Sequence, residues 1–449
     1  MLALFDAYDD ATKELLQSLA AAGIPVTPVV IRYDGDLPGG ALCPFAMYTG
    51  LVLEGDPLFF DEVPIPPWCE IRQGRESYGQ VLRDGMPLAR INYEANSFRQ
   101  VESVDWLLPD RTLGHTDHYD RHGHHYATTH YDLGVACQTV HRGPGEWEIE
   151  VHHASGVVTM RSPRSVLTFE DLTGFVSHFL DEQGLDEHGL GGQEPDGKGV
   201  NEADGILINS LSSPLFVARE RAVTPNTTLF WQEPLPGDAP GNMVAELEEP
   251  TALERIVFFD ETMRRRVADR YPQTPVSLVY LSHLGQFAPH LGAEALRTFT
   301  LTTTDELPGL EQLLAEFPQV TFSVAAPTLM SEKLHELARA HPNLTLKPVI
   351  THRGIRDELE RASVYLDLNA GPHVLDVVKA AYYLNLVVLA LEPVAKAPDH
   401  SLVVGTAQEL AAQLSAVVAG PDGRARALDV LHTLHGPLST PEDYLRVLA

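Results

Sequence analysis

Between Ala362 and Leu391 the chain reads ASVYLDLNAGPHVLDVVKAAYYLNLVVLAL. A continuous apolar run predicts a strand over 363–368. The Gly/Pro-containing stretch 369–372 predicts a loop. Apolar positions at helical spacing predict a helix over 374–383, and a second apolar run predicts a strand over 386–391. Short strands that are apolar on both faces and alternate with helices form parallel sheets. In such sheets ligands bind outside the carboxyl ends of the strands, which here is the loop beginning at Asn369.

The same rhythm recurs along most of the chain. Strands are expected at 25–31, 205–210, 227–231, 256–259, 276–280, 295–302, 320–325 and 344–348. Helices are expected at 7–22, 169–183, 215–221, 261–270, 309–316, 331–340, 355–361, 407–418 and 441–449. The opening MLALFDAYDDATKELL reads as an acidic helix with no basic leader. From about 51 to 169 the character changes. Apolar and polar residues alternate, as in Arg90-Ile-Asn-Tyr-Glu and Trp147-Glu-Ile-Glu-Val, with turn residues between the runs. Period-two alternation predicts an antiparallel meander inserted into an α/β frame. A Pro/Gly-rich stretch at 232–243 reads as a linker. The expected partition is therefore 1–50 and 170–250 as one Rossmann-like domain, 51–169 as the inserted β-sheet, 251–435 as a second Rossmann-like domain, and 436–449 as a helix returning to the first.

Composition narrows the function. Across 449 residues the formal net charge is −30, which excludes a nucleic-acid binder, because phosphate neutralisation needs a basic surface. No apolar run reaches the ~20 residues that span a bilayer. Cys43, Cys69 and Cys137 are odd in number and widely spaced, with neither a disulfide framework nor a zinc pattern. That fits a reducing, cytoplasmic setting. His115, His118, His122, His124, His125 and His130 crowd into one short stretch. Alternate residues of a strand face opposite sides, so few of them can converge, and a polar strand face is preferred over a metal site. The aromatic set Phe98, Trp106, Tyr119, Tyr126 and Tyr131 has two readings. One is a sheet core; the other is a platform for an extended polypeptide or a partner's sheet. Asp260-Glu261 and Asp357-Glu358 are read as acids at helix starts.

The 362–391 stretch resembles the donor-sugar end of retaining nucleotide-sugar glycosyltransferases, whose two Rossmann-like domains face each other in a GT-B arrangement. Laid on that pattern, Gly371 and Lys379 stand where the family has two acids that grip sugar and ribose. Thr303 and Pro308 stand where it has the Arg and Lys that hold the diphosphate. Two diphosphate charges need cationic donors, so the resemblance implies the shape of a transferase without its reaction. Longer segments resemble one family in particular, the glycosyltransferase-stabilising subunit of the accessory Sec system. They are LFDAYDDATKELLQSLAAAGIPVTPVVIRYDGDLP from Leu4, PLFFDEVPIPPWCEI from Pro57, RQVESVDWL from Arg99, DHYDRHGHHYATTHY from Asp117 and LFWQEPLPGDAPGNM from Leu229.

That resemblance implies a non-catalytic subunit, without cofactor, of a protein O-GlcNAc transferase. It would assemble with the catalytic subunit and help bind a Ser/Thr-rich adhesin acceptor, in the cytoplasm and with peripheral membrane association through its complex. Trp106, His118, Tyr119, Tyr126 and Tyr131 are the acceptor- or partner-binding candidates. The alternative is an active transferase with a rearranged donor site, using Lys347, His352 and Arg353 for positive charge and His373 and Asp376 for the missing acids.

Overall fold

The computed structural model describes all residues except 76–77, 95–96, 98, 187–188, 191–204, 222–223, 236, 285–295 and 449. Phe98 and most of the polar loop after residue 186 therefore lie outside the described residues.

The first residues form a strand, not the start of a helix. Leu2–Phe5 is wholly buried and lies between Thr27–Val30 and Ile206–Ile208, parallel to both. Four consecutive apolar side chains suit a strand covered on both faces. The helix begins only after Asp9, whose carboxylate accepts from the Thr12 amide at 2.8 Å and caps Asp10–Ala21. Leu15 and Leu19 of that helix pack on Phe5, together with Tyr444 and Leu448 of the terminal helix Pro441–Leu448.

This first sheet has six strands, in the order Ser277–Tyr280, Leu253–Phe258, Thr227–Trp231, Ile206–Ile208, Leu2–Phe5, Thr27–Val30. The expected division near residue 250 therefore falls too early. Leu253–Phe258 pairs in parallel with Thr227–Trp231, and Ser277–Tyr280 pairs with Leu253–Phe258. The Pro/Gly stretch that reads as a linker leads instead into the helix Gly241–Glu248. That helix supplies Glu246, which is fully buried. Its carboxylate accepts from the amides of Ala252 and Leu253 at 3.1 and 2.9 Å and from Arg219 at 2.8 Å. The junction is thus part of the first core, and local composition cannot reveal where a sheet stops adding strands.

The insertion is a ten-stranded antiparallel meander, every strand pairing with its chain neighbours from Glu70–Arg75 to Val166–Phe169. Residues 51–69, expected to alternate as strands, hold only a 3-10 turn at Phe60–Glu62 and a bridge from Phe59 to Gln100. The meander does not stand apart. Tyr126, Ala127, Ile149, Val158 and Met160 share one core with Leu4, Val29 and Phe45 of the first unit. Tyr33 donates to buried Asp120 at 3.1 Å, and its ring meets Tyr126 edge-on at 4.8 Å. At Gly50, whose φ is 67°, a side chain would press on the Gly145 backbone at 3.0 Å, so glycine permits the approach.

The second sheet also has six parallel strands, in the order Leu344–Lys347, Thr321–Ala325, Arg297–Leu301, Val364–Asp367, Val387–Leu391, Leu402–Val404. This is the doubly wound order, with its reversal between Arg297–Leu301 and Val364–Asp367. Asp260 caps Glu261–Arg270 through the Met263 amide at 3.0 Å, as read. Asp357 and Glu358 do not start a helix: they lie within His352–Arg361, which Thr351 caps.

Glu246 supports a stability test. Burial pushes its carboxyl up, but bonds from Thr251, the Leu253 and Ala252 amides and Arg219 hold it below the usual carboxylate range. Its contribution is then present above the unfolded carboxylate pKa and lost as pH falls through the lower folded value. Glu246→Ala strands Arg219 and two buried amides and should cost about 3–5 kcal/mol. In denaturant titrations the gap to wild type should narrow on acidification.

Candidate functional site

The crevice at the strand reversal of the second sheet is the first place to look for a ligand. The strand Arg297–Leu301 delivers Thr302 and Thr303 to it, and Val364–Asp367 delivers Asn369 and Gly371. Asn369 is 4% exposed and its side chain fills the space between the two strand ends. Its Oδ1 lies 3.1 Å from the Thr302 hydroxyl and accepts from the amides of Thr303 at 3.3 Å and Gly371 at 3.0 Å. Its Nδ2 donates to the Pro372 carbonyl at 2.8 Å. A side chain at Gly371 would meet the Thr303 hydroxyl at 2.4 Å. The groups gathered here are hydroxyls, an amide and backbone, suited to knitting two loops together.

Sequence reasoning missed Asn369 as the centre of this cluster, although the Asn-x-Gly spelling is the signature of an Asx turn, in which the side chain caps the backbone two residues on. Of the four positions singled out, Thr303 and Gly371 meet here. Pro308 lines an adjoining shallow groove of about 780 Å³, to which Ala370 of the same loop, Glu306, Lys333 and Glu336 also contribute. Lys379 points out of the second unit altogether. Its ammonium reaches Glu14 of the first unit at 2.7 Å. The two form part of the wall of an interdomain cleft of about 420 Å³, with Lys13, His352, Arg356 and Tyr383.

The residues offered for a rearranged donor site converge only in part, His352 and Asp376 both lining the interdomain cleft. Lys347 is paired with Glu358 at 2.8 Å, and Glu358 also accepts from Ser323 at 2.6 Å. His373 and Asp376 lie 4.0 Å from each other. His352 lines the interdomain cleft, away from Asn369.

In the insertion, ladder register assigns each candidate to a face. Trp106 is opposite His115, and His115 is opposite His130. Trp106 and His115 stack at 6.1 Å, and the Trp106 indole donates to Asp117 at 2.8 Å. His118 belongs to the other face, its Nε2 2.9 Å from the Thr129 hydroxyl. Burial pushes the His118 imidazole below its usual pKa. His124 turns back on Asp120, and His125 lies 3.2 Å from Asp117. The histidine run is therefore spread over two faces and a turn. Among the described residues no group of three His, Cys, Asp or Glu is placed to hold a metal ion. Tyr126 is 7% exposed and belongs to the shared core. Tyr119 packs on the smaller cluster formed by Val81, Ile91 and Val104. Tyr131 is half-buried. The five candidates thus do not form one surface. No described helix is long and apolar enough to cross a membrane.

Comparison with known proteins assigns four consecutive segments. Residues 2–48 match the GtfB N-terminal domain, 69–170 the GtfB middle domain, 199–267 the GtfB third domain, and 298–429 the GftB/GlyA-F C-terminal domain. A UDP-N-acetylglucosamine–peptide N-acetylglucosaminyltransferase stabilizing protein GtfB from Streptococcus gordonii is 30% identical, over 87% of this chain and 85% of its own. One from Limosilactobacillus reuteri subsp. suis is 27% identical over 100% of this chain and 99% of its own. A chain of a crystal structure of the GtfA/B complex bound to UDP and GlcNAc superposes with a TM-score of 0.78, at 28% identity, over 100% of this chain and 99% of that one. The pneumococcal O-GlcNAc transferase GtfA shares the fold, with a TM-score of 0.55 at 11% identity over 100% of this chain and 98% of that one.

The packing at Gly371 yields a test. Gly371→Ala drives a methyl into Thr303 and Asn369 and should destabilise the protein by about 1–3 kcal/mol in denaturant titrations. Gly371→Glu should not create UDP-GlcNAc binding measurable by calorimetry. Binding by that variant would mean the loop opens freely and the crevice is not sealed.

Proposed function

Because the chain belongs to the family of GtfB stabilising proteins of the peptide N-acetylglucosaminyltransferase, we propose that it is the non-catalytic subunit of a protein O-GlcNAc transferase. It stabilises and activates a catalytic GtfA-type subunit by forming a hetero-oligomer with it, and it helps hold the Ser/Thr-rich adhesin polypeptide that the pair modifies. The single observation that carries the non-catalytic reading is the set of neutral groups gathered at the strand reversal. Asn369, Thr302 and Thr303 supply them, where a nucleotide diphosphate would need cations. Thr303, Pro308, Gly371 and Lys379 are read as lost donor positions. Each is now used otherwise: two in the Asn369 cluster, one on a groove, one across the domain cleft.

Polypeptide binding is assigned to the inserted meander, which adds nothing to sugar transfer. Of the candidates there, Trp106, His118, Tyr119 and Tyr131 keep partial exposure and are proposed to touch partner or acceptor, whereas Tyr126 lies in the shared core and helps build the sheet that presents them. Extended chain can pair with a sheet edge through backbone hydrogen bonds, which tolerates varied acceptor sequence. The setting is the cytoplasm, on the accessory Sec route, with membrane contact made through the complex.

Reconstitution tests the proposal. The chain alone should neither turn over UDP-GlcNAc nor bind it at millimolar concentration. Added to its catalytic subunit, it should lengthen that subunit's thermal half-life severalfold and be required for glycosylation of a Ser/Thr-rich peptide. Turnover of UDP-GlcNAc by the isolated chain would sink the proposal.

A further inference from the structure

The cleft between the two α/β units is crossed by an ion pair that neither unit needs for its own fold. Glu14 lies on Asp10–Ala21, whose start is already capped by Asp9 and whose packing face is Leu15 and Leu19. Lys379 lies on Val377–Tyr383, whose buried residues are Val377, Val378, Ala381 and Tyr382. Their contact at 2.7 Å, with each side chain 28% exposed, joins the two helices across the cleft. Glu14 Oε2 also lies 3.5 Å from His283 Nε2.

The rest of the seam is a run of rings. Phe259 and His283 of the first unit stack at 3.8 Å with their planes 8° apart, and His283 meets Tyr383 of the second unit edge-on at 5.9 Å. Tyr382 and Tyr383 both contact the His400 ring, at 5.0 and 5.9 Å. Away from the cleft, the Thr262 hydroxyl donates to the Leu434 carbonyl at 3.3 Å and Arg265 donates to the Thr433 carbonyl at 2.9 Å. One side of the seam is therefore tied helix to helix through backbone carbonyls; on the cleft side, among the described residues, the charged pair stands beside hydrogen bonds of Tyr280 with Tyr382 and of Tyr383 with the His283 backbone.

We propose that Lys379 and Glu14 form a latch that holds the two α/β units at a fixed separation without any ligand in the cleft. Units joined in this way ordinarily move relative to each other unless their interface is large and apolar. A charge supplied by each unit provides the constraint that a bound molecule would otherwise provide. Burial, and after it Lys379, lowers the His283 pKa to about 3, and burial likewise lowers His400 to about 4. Both imidazoles are then neutral around pH 7, which leaves Lys379 as the cation that balances Glu14. The other titratable groups at the seam are Tyr280, Tyr382, Tyr383, His432 and Tyr444, with Asp260 and Glu261 at its border, and Asp10, Lys13, His352, Arg356 and Asp376 line the cleft beside the pair. The latch gives the partner a platform of constant shape. It is a statement about the isolated chain and does not depend on the proposed role in glycosylation.

Charge reversal on the full chain tests it. Lys379→Glu and Glu14→Lys should each speed amide exchange in Asp10–Ala21 and Val377–Tyr383 about tenfold and enlarge the radius of gyration in X-ray scattering. The double swap should return both readouts to within about twofold of wild type. Lys379→Met, which removes the charge with little loss of packing, should show the same opening if Lys379→Glu fails to fold. Unchanged exchange and scattering in the single variants, or a double swap that restores neither, would overturn the latch. None of these readouts involves the catalytic subunit, so their failure is separate from a failure of the reconstitution.

Discussion

The molecule depends on the parallel pairing of Leu2–Phe5 with Ile206–Ile208, elements more than two hundred residues apart. Hairpins and neighbouring helices close locally, but this contact closes a very long loop, joining the pair Leu2–Phe5 and Thr27–Val30 to the pair Ile206–Ile208 and Thr227–Trp231. Loop-closure entropy grows only logarithmically with length, so the thermodynamic cost is modest once the apolar strand is buried on both faces. The pairing obliges the inserted meander to leave and re-enter the frame at nearby points. It therefore returns along the same side and docks on Tyr33, Phe45 and Gly50. The insertion is an outgrowth of the first core and shares its buried residues.

The second unit obeys the same parallel-sheet logic, but its strand order places a reversal at the sheet centre. The connections leaving the two central strands diverge there and open a crevice for chemistry. Here the protein's own neutral groups bridge the two loops at that opening. Asn369 satisfies two backbone amides and spans both loops, and Gly371 has no side chain because Thr303 stands in the way.

Charge is used sparingly at the places that matter. Against a net charge of −30, the cations at structural junctions are committed to specific acids: Arg219 to Glu246, Lys347 to Glu358, Lys379 to Glu14. The first ties helix to helix and the second strand to helix, each within one unit. The third ties one unit to the other, and it does so at a position where resemblance to the transferases calls for an acid.

The sequence by itself determined the element types and most of the architecture. Glu261–Arg270, Thr227–Trp231 and Ala407–Val418 have the bounds that periodicity and capping predict, and period-two alternation marked the insertion. The family, too, was legible in extended segments that a general transferase does not carry. Tertiary structure alone decided three things. It assigned Leu253–Phe258 and Ser277–Tyr280 to the first sheet, because a parallel strand carries no local mark of which sheet will accept it. It distributed the aromatic and histidine residues of the insertion over two faces and a core, because bulges shift the register that alternation assumes. And it gave Lys379 a partner on the opposite side of the cleft, because charge complementarity between residues so far apart in the chain exists only once the fold has brought them together.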